Sequence, residues 1–324
     1  MRRKKILWAS VIFFLLSLTS AYSQGYMGYM VTKTLLDSVK VNKLHGAAGL
    51  ALKVEQTDAL KFELDVTGEL IYALDKHKFR FSGNVAYNFL DDRDTGNKGF
   101  FHLQGDFFQY RISENKRAKS PFFFSAFATY QYDYLRDLHN RVAIGTNFTF
   151  QPLREHPNLC IEPGIGIVGS YQHWDALGSR ARVLGIERDA LLQSYNSLAQ
   201  GSKDYLGITE KGHYNQWDFR FNAFVHFFGD WDHIAFNVYT TVLQPVKGSF
   251  KTLSTEEDLL PNEFKGILNT KPLPLIGAGG YFQVRIWKKL SAVTRFDLIW
   301  DGGQAPVDAY HLTYCFTQGL AYTW

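Results

Sequence analysis

The sequence predicts an all-β protein, a single up-and-down antiparallel β-barrel of twelve strands that crosses a membrane and carries long extracellular loops. Three observations predict it. From about Ala47 onward apolar and polar residues alternate with period two, segment after segment, which is the signature of strands with one greasy and one wet face. Many segments run nine residues or more, the length that a tilted membrane-crossing strand needs, whereas strands in soluble sheets usually stop at about five or six. The greasy face is rich in Phe, Tyr and Trp, which make up 16 % of the 324 residues while the mean hydropathy is only −0.19. Such aromatic content at that hydropathy excludes a bundle of transmembrane helices, and it excludes disorder. Twelve strands with an apolar face must close, because hydrocarbon does not tolerate unpaired strand edges.

The chain opens with Arg2, Arg3, Lys4 and Lys5, continues with an apolar run over residues 6–18, and reaches small residues at Ala21 and Ser23. That three-part pattern predicts a secretory signal peptide cut after Ser23, since the apolar run is short of the ~20 residues of a spanning helix. Residues 1–23 are thus expected as the leader, 24–44 as a periplasmic arm and 45–324 as one barrel domain. No Cys lies near the cut, so lipoprotein processing is not indicated. The formal charge of +4 belongs to the leader: 35 basic residues less the four leader cations leave 31, against 31 acidic ones. A balanced mature chain implies no nucleic-acid partner. The expected location is the outer membrane of a Gram-negative bacterium, as a monomer, with membrane lipid and lipopolysaccharide as its partners. Cys160 and Cys315 fall on well-separated strands, both facing inward, and are expected as free thiols.

Each strand follows from its alternation. The first segment, 47–56, alternates weakly. The second sets Phe62, Leu64, Val66, Leu70 and Tyr72 against Lys61, Glu63, Asp65, Thr67 and Glu69. The third sets Phe79, Phe81, Val85 and Tyr87 against Arg80, Ser82 and Asn84, and the fourth Phe101, Leu103 and Phe107 against His102, Gln104 and Asp106. Phe122, Phe124, Tyr130 and Tyr132 then oppose Ser125, Gln131 and Asp133, and Val142, Ile144, Phe148 and Phe150 oppose Arg141, Asn147 and Thr149. The seventh segment places Ile161, Ile165, Ile167 and Tyr171 against Glu162 and Ser170; the eighth places Trp217, Phe219, Phe221, Val225 and Phe227 against Asp218, Arg220, Asn222 and His226. The ninth (234–244) and tenth (276–287, with Arg285) alternate less cleanly. The eleventh has Phe296, Leu298 and Trp300 against Arg295 and Asp297, and the last has Tyr314, Phe316, Leu320, Tyr322 and Trp324 against Thr313 and Thr317.

Loop lengths test the count. The longest connections, 175–216 and 247–274, follow the seventh and ninth segments, and 90–98 and 301–308 follow the third and eleventh. Those after even segments are short turns at 75–77, 229–233 and 288–290, with somewhat longer ones at 113–120 and 152–157. Long connections of one parity match a barrel with short periplasmic turns and long outer loops. Two outer loops have helical signals. Asp189 to Leu192 leads into Tyr195, Leu198 and Ala199, with Gly201 as the stop; Ser254-Thr255-Glu256-Glu257 has capping-box spacing before Leu259 and Leu260, and Pro261 ends it. The last strand closes on Tyr322 and Trp324, matching the terminal aromatic signal that the barrel-assembly machinery reads during biogenesis.

Residues 80–171 resemble the bacterial family of salt-stress-induced outer-membrane proteins defined by a domain of unknown function. The resemblance rests on the aromatic strand Ser125-Ala126-Phe127-Ala128-Thr129-Tyr130-Gln131-Tyr132-Asp133, on Leu135-Arg136-Asp137-Leu138-His139-Asn140-Arg141 leading into Val142-Ala143-Ile144-Gly145, and on Leu159-Cys160-Ile161-Glu162-Pro163-Gly164-Ile165-Gly166. It covers less than a third of the chain and implies a barrel with no assigned activity.

The charges expected on the lumen side are of both signs: Lys61, Glu63, Asp65, Glu69, Arg80, Asp106 and Asp133 in the first half, then Arg141, Glu162, Asp218, Arg220, Arg285, Arg295 and Asp297. Interleaved acids and bases inside a narrow cylinder must pair or be solvated, which predicts an envelope protein with a narrow or side-chain-filled lumen. The alternatives are a narrow pore for small solutes and a lipid- or peptide-hydrolysing enzyme at the outer rim. For the enzyme the rim candidates are His173 with Asp175, and His311 with Asp308, His213 lying close by. No metal-ligand spacing, phosphate-cradling loop or Cys-x-x-Cys occurs, so neither metal nor cofactor is expected. The glycines of 163–166 and 277–280 lie inside strands, where they relieve crowding.

Overall fold

A computed structural model describes residues 41–56, 60–88, 98–113, 116–134, 137–250, 260–265, 267, 272–301 and 312–323. The leader, the arm up to residue 40, the capping-box segment 254–257, Asp308, His311 and Trp324 lie outside the described residues.

Twelve strands form a closed antiparallel barrel. In chain order they are β1 (Leu44–Gln56), β2 (Leu60–Ala73), β3 (Lys78–Asn88), β4 (Lys98–Phe107), β7 (Phe122–Asp133), β8 (Leu138–Phe150), β9 (Leu159–Asp175), β10 (His213–Asp230), β11 (Ile234–Gly248), β12 (Leu275–Arg285), β13 (Leu290–Asp301) and β14 (Leu312–Thr323). Each pairs with its chain neighbour, and β1 closes the ring on β14 with Ala47 opposite Thr323 and Ala51 opposite Gly319. Closure leaves no edge among the twelve. Two further strands, β5 (Tyr110–Ser113) and β6 (Lys116–Lys119), make a separate hairpin in the connection between β4 and β7. The sequence predicts a plain turn at 113–120; two four-residue strands are too short for their alternation to stand out.

Facing is set by the period of two. Phe81, Phe148 and Phe221 are 44 %, 50 % and 42 % exposed on the outer wall, while the inward positions between them are buried. Along β10, Tyr214, Gln216, Asp218, Arg220, Asn222 and Phe224 are buried, and Trp217, Phe219, Phe221 and Val225 are exposed. An apolar outer wall over an edgeless cylinder is the construction of a transmembrane barrel. The strands β9 and β10 have 17 and 18 residues, well beyond the ~10 of a crossing, so they project past the apolar belt at the long-loop end.

The inner wall departs from the sequence expectation of polar residues along its whole length. Phe100, Phe123, Phe127, Val168, Phe224, Phe228, Tyr239 and Leu243 are buried inside among the charges. Alternation identifies which residues share a face, but it reads the wetter face as uniformly polar and overlooks apolar residues on it.

The β9–β10 connection folds into three helices: α1 (Ala176–Leu184), α2 (Arg188–Ser197) and α3 (Gln200–Leu206). Asp175 caps α1 by accepting the Gly178 amide at 2.9 Å, and Gly185 ends it in the left-handed region at φ 67°. The predicted stop is corrected: α2 ends at Ser197, Leu198 is extended, and Gly201 lies within α3. Leu177, Leu191, Tyr195, Leu206 and Ile208 bury against Leu138, Trp174 and Tyr214 on the strand tops, together with Leu260, Phe264 and Ile267. Because Trp174 and Tyr214 face inward, this apolar cluster folds over the mouth on the β8–β10 side.

Candidate functional site

Among the described residues the inner wall carries paired polar groups and aromatics laid against it. Toward the short-turn end, Lys78 pairs with Asp106 at 3.5 Å and Arg80 with Glu69 at 3.1 Å. Asp106 also accepts from Ser125 Oγ at 2.8 Å and from Gln104 Nε2, whose amide oxygen lies 2.9 Å from His102 Nε2. Glu162, fully buried, accepts from Gln151 Nε2 and from Cys160 Sγ at 3.7 Å. Cys160 is a free buried thiol; the side chain of Cys315 lies outside those described. Higher up, Asp218 accepts from Ser170 Oγ at 2.7 Å, Gln172 Nε2 at 3.0 Å and Arg220 Nε at 2.7 Å, and the second Arg220 nitrogen also reaches it. Asp133 and Arg141 are buried nearby, and Asn222 bridges Asn147 and Thr241 at 3.0 and 2.8 Å.

The aromatics use glycine gaps in the next strand. A Cβ on Gly145 would stand 2.4 Å from Phe127 Cζ, and one on Gly164 2.3 Å from Phe224 Cζ. Each ring therefore occupies the space a side chain would need, which is the crowding relief expected at Gly164. Arg80 on β3 and Phe224 and His226 on β10 line one cavity of about 30 Å³ with His102, Phe127 and Glu162. Strands β3 and β10 are five places apart in a ring of twelve, so side chains from nearly opposite walls line one small void, with room for a water or so. Below it lies an open vestibule of about 810 Å³, lined by Lys119, Phe228, Trp231 and Arg285, with Lys119 Nζ 5.9 Å from the Phe228 ring. The end of the hairpin β5–β6 thus comes close to β10 at the short-turn mouth.

Of the remaining predicted lumen charges, Asp65 accepts weakly from Asn84 at 3.4 Å and Arg295 is half-buried on β13. Lys61, Glu63 and Asp297 sit on β2 and β13, and their side chains lie outside those described. Arg285 stands at the short-turn mouth, where it lines the vestibule and clamps the β10–β11 turn, donating to Trp231 O at 2.8 Å, Asp232 O at 3.0 Å and the Asp230 carboxylate. Its place at the last residue of β12 brings it within reach of that turn.

The rim differs from the predicted dyad. His173 Nδ1 lies 2.6 Å from Asn215 Oδ1, which also accepts from Tyr171 at 2.9 Å. Asp175 is held by Arg188 Nε at 2.6 Å and by the α1 N-terminus, so no His173–Asp175 hydrogen bond forms. The strand ends at Asp175, and its carboxylate turns to the helix. Around it the chain brings together residues that linear spacing does not connect. A bulge at the start of β8 turns His139 outward, and its ring lies 5.6 Å from that of His173 and 5.1 Å from that of His213. The His173 and His213 rings are 4.8 Å apart. Ligand atoms of His139, Asp175 and His213 all lie within 4.8 Å of one another. Just above, the Asp137 carboxyl is pushed up by burial, against the pull of Arg182 and Ser179, and Arg188 is held above its usual value by its bond to Asp175.

No family model and no curated protein matches this chain. Among solved structures it is similar to the NanC porin (7 % identity, TM-score 0.42, covering 86 % of this chain and 98 % of that one). It is similar also to the β domain of the Bordetella autotransporter BrkA (7 %, 0.32, 86 % and 98 %) and to the Acinetobacter baumannii outer-membrane protein Omp33 (9 %, 0.29, 87 % and 97 %).

Proposed function

We propose that this chain is an integral outer-membrane barrel whose lumen is closed at rest, serving the envelope as a structural or stress-related element and not as an open channel or an enzyme. The observation that carries the reading is the small void of about 30 Å³ that Arg80 on β3 and Phe224 on β10 line together from nearly opposite walls. Buried ion pairs at Lys78–Asp106, Arg80–Glu69 and Asp218–Arg220 support it, since charges lining a water-filled pore would remain solvated. The apolar cluster over the long-loop mouth adds a cover at that end. In this reading the short turns face the periplasm and the helices face outward, the leader delivers the chain to the periplasm, and its terminal aromatic strand engages the assembly machinery. Lipid and lipopolysaccharide surround the outer wall. The test is solute flux: purified protein in liposomes should pass neither sugars nor amino acids. Brisk liposome swelling, or steady single-channel conductance in a planar bilayer, refutes closure and favours a narrow pore.

A further inference from the structure

We propose that the outer rim over β8, β9 and β10 is a binding site for a late first-row divalent metal ion of the zinc class, with His139, His173 and His213 as imidazole ligands and Asp175 as the anionic one. Three adjacent strands converge there: His213 is paired opposite Asp175, Asn140 and Asn215 flank His173, and the β8 bulge delivers His139. The spread of 4.8 Å between the ligand atoms of His139, Asp175 and His213 is close to that of a metal shell. Ligands at about 2 Å from one tetrahedral ion stand roughly 3.4 Å apart, so these three side chains need contract by up to about 1.4 Å, and His173, outside that spread, by more.

Two details point to a ligand and not to ring stacking alone. His173 donates its Nδ1 proton to Asn215 Oδ1, which fixes the ring and leaves Nε2 with its lone pair free. An imidazole held through its other nitrogen by a carbonyl oxygen is the usual outer-shell arrangement of a metal-binding histidine. The Nδ1 atom of His213 is buried with no hydrogen-bond partner, a polar atom that a metal would satisfy. Asp175 Oδ1 accepts both the Gly178 amide and the second Arg188 nitrogen, but Oδ2 accepts only Arg188 Nε and keeps a second lone pair for an ion. Nitrogen-dominated ligands select zinc, copper or nickel over magnesium or calcium, which prefer oxygen. Bound there, the ion would tie three strand ends to the N-terminus of α1, at the base of the helical cap.

The experiment uses the full mature protein folded in detergent micelles without an oligohistidine tag. Calorimetric titration with Zn²⁺ should show one equivalent, unaffected by excess Mg²⁺, and Co²⁺ should develop the strong visible absorption of tetrahedral nitrogen-oxygen coordination. His139→Asn and His213→Asn, checked for folding by their gel mobility before and after heating, should each weaken binding at least about 100-fold, and Asn215→Ala about 10-fold. Absence of saturable Zn²⁺ binding, displacement by Mg²⁺, or unchanged affinity in His213→Asn overturns the proposal. Should a histidine variant fail to fold, the Co²⁺ spectrum of the unaltered protein and the Asn215→Ala affinity decide the matter.

Discussion

Replacing Asp218 by Asn, which keeps its shape and removes its charge, tests whether the interior is held by paired ions. Asp218 and Arg220 are both fully buried side chains, and Asp218 gathers donors from Ser170, Gln172 and both reaching nitrogens of Arg220. Hydrogen bonds to a charged group contribute about 1.5–3 kcal/mol each, but they share one carboxylate and do not add. Breaking one partner of a buried pair costs about 3–5 kcal/mol, because the remaining charge is left in a poor solvent. Asp218→Asn should therefore lower the unfolding free energy by about 3–4 kcal/mol, at the lower end because Asn keeps one oxygen acceptor. Arg220→Met should cost a similar amount, whereas the double variant should recover much of the loss, giving a coupling of about 2 kcal/mol or more. Urea unfolding in lipid vesicles, followed by tryptophan fluorescence and by the gel shift between folded and heated barrel, measures all three. A single-variant cost under about 1 kcal/mol with no coupling would mean that water reaches the pair, and the filled-lumen reasoning would fail.

Other outcomes follow from the same packing. Gly164→Ala should destabilise the barrel by about 1–3 kcal/mol, since its Cβ would meet Phe224 Cζ at 2.3 Å and the Phe148 carbonyl at 2.9 Å; a neutral result in the same urea assay would show that the ring is free to move. Phe127→Ala combined with Phe224→Ala removes two rings lining the 30 Å³ void and should turn a sugar-tight liposome leaky; swelling no faster than the parent would locate the barrier elsewhere. Tyr195→Ala deletes a fully buried ring and its hydrogen bond to the Ile208 carbonyl, and should cost the helical cap about 3–5 kcal/mol while the barrel keeps its heat-shifted gel mobility. Trypsin cutting at Arg182 or Lys203 no faster than in the parent would count against the cap as a separate packed unit. Asp137 has its carboxyl pushed up by burial, so its folded form holds the proton more tightly than the unfolded chain does. Its contribution to stability is fully present below the ordinary carboxylate value of about 4 and is lost as pH rises through the higher folded value. Cap proteolysis should accordingly be slower near pH 4 than at pH 7 by an amount that Asp137→Asn abolishes; an identical pH response in the variant assigns the effect to other groups.

The sequence by itself determined the cylinder. Alternation is a local property, so Phe81, Phe148 and Phe221 could be assigned to one wall and Glu69, Arg80 and Asp218 to the other without knowing any pairing. Strand length and the parity of long connections then gave the ring of twelve, and Asp189 to Tyr195 announced α2 through helical spacing. Only the tertiary structure decided what fills the cylinder and what gathers at its rim. Phe127 and Phe224 sit on the wet face and carry no local mark of it; their place depends on Gly145 and Gly164 in the next strand. Arg285 alternates like a lumen residue, but that it clamps the β10–β11 turn follows only from its standing where β12 ends. His139 and His213 are 74 positions apart in the chain and meet because β8, β9 and β10 are neighbours and one bulge rotates a side chain outward. Period two sorts residues between two faces; contact across a lumen or along a rim depends on register, strand order and bulges, which involve residues distant in the chain.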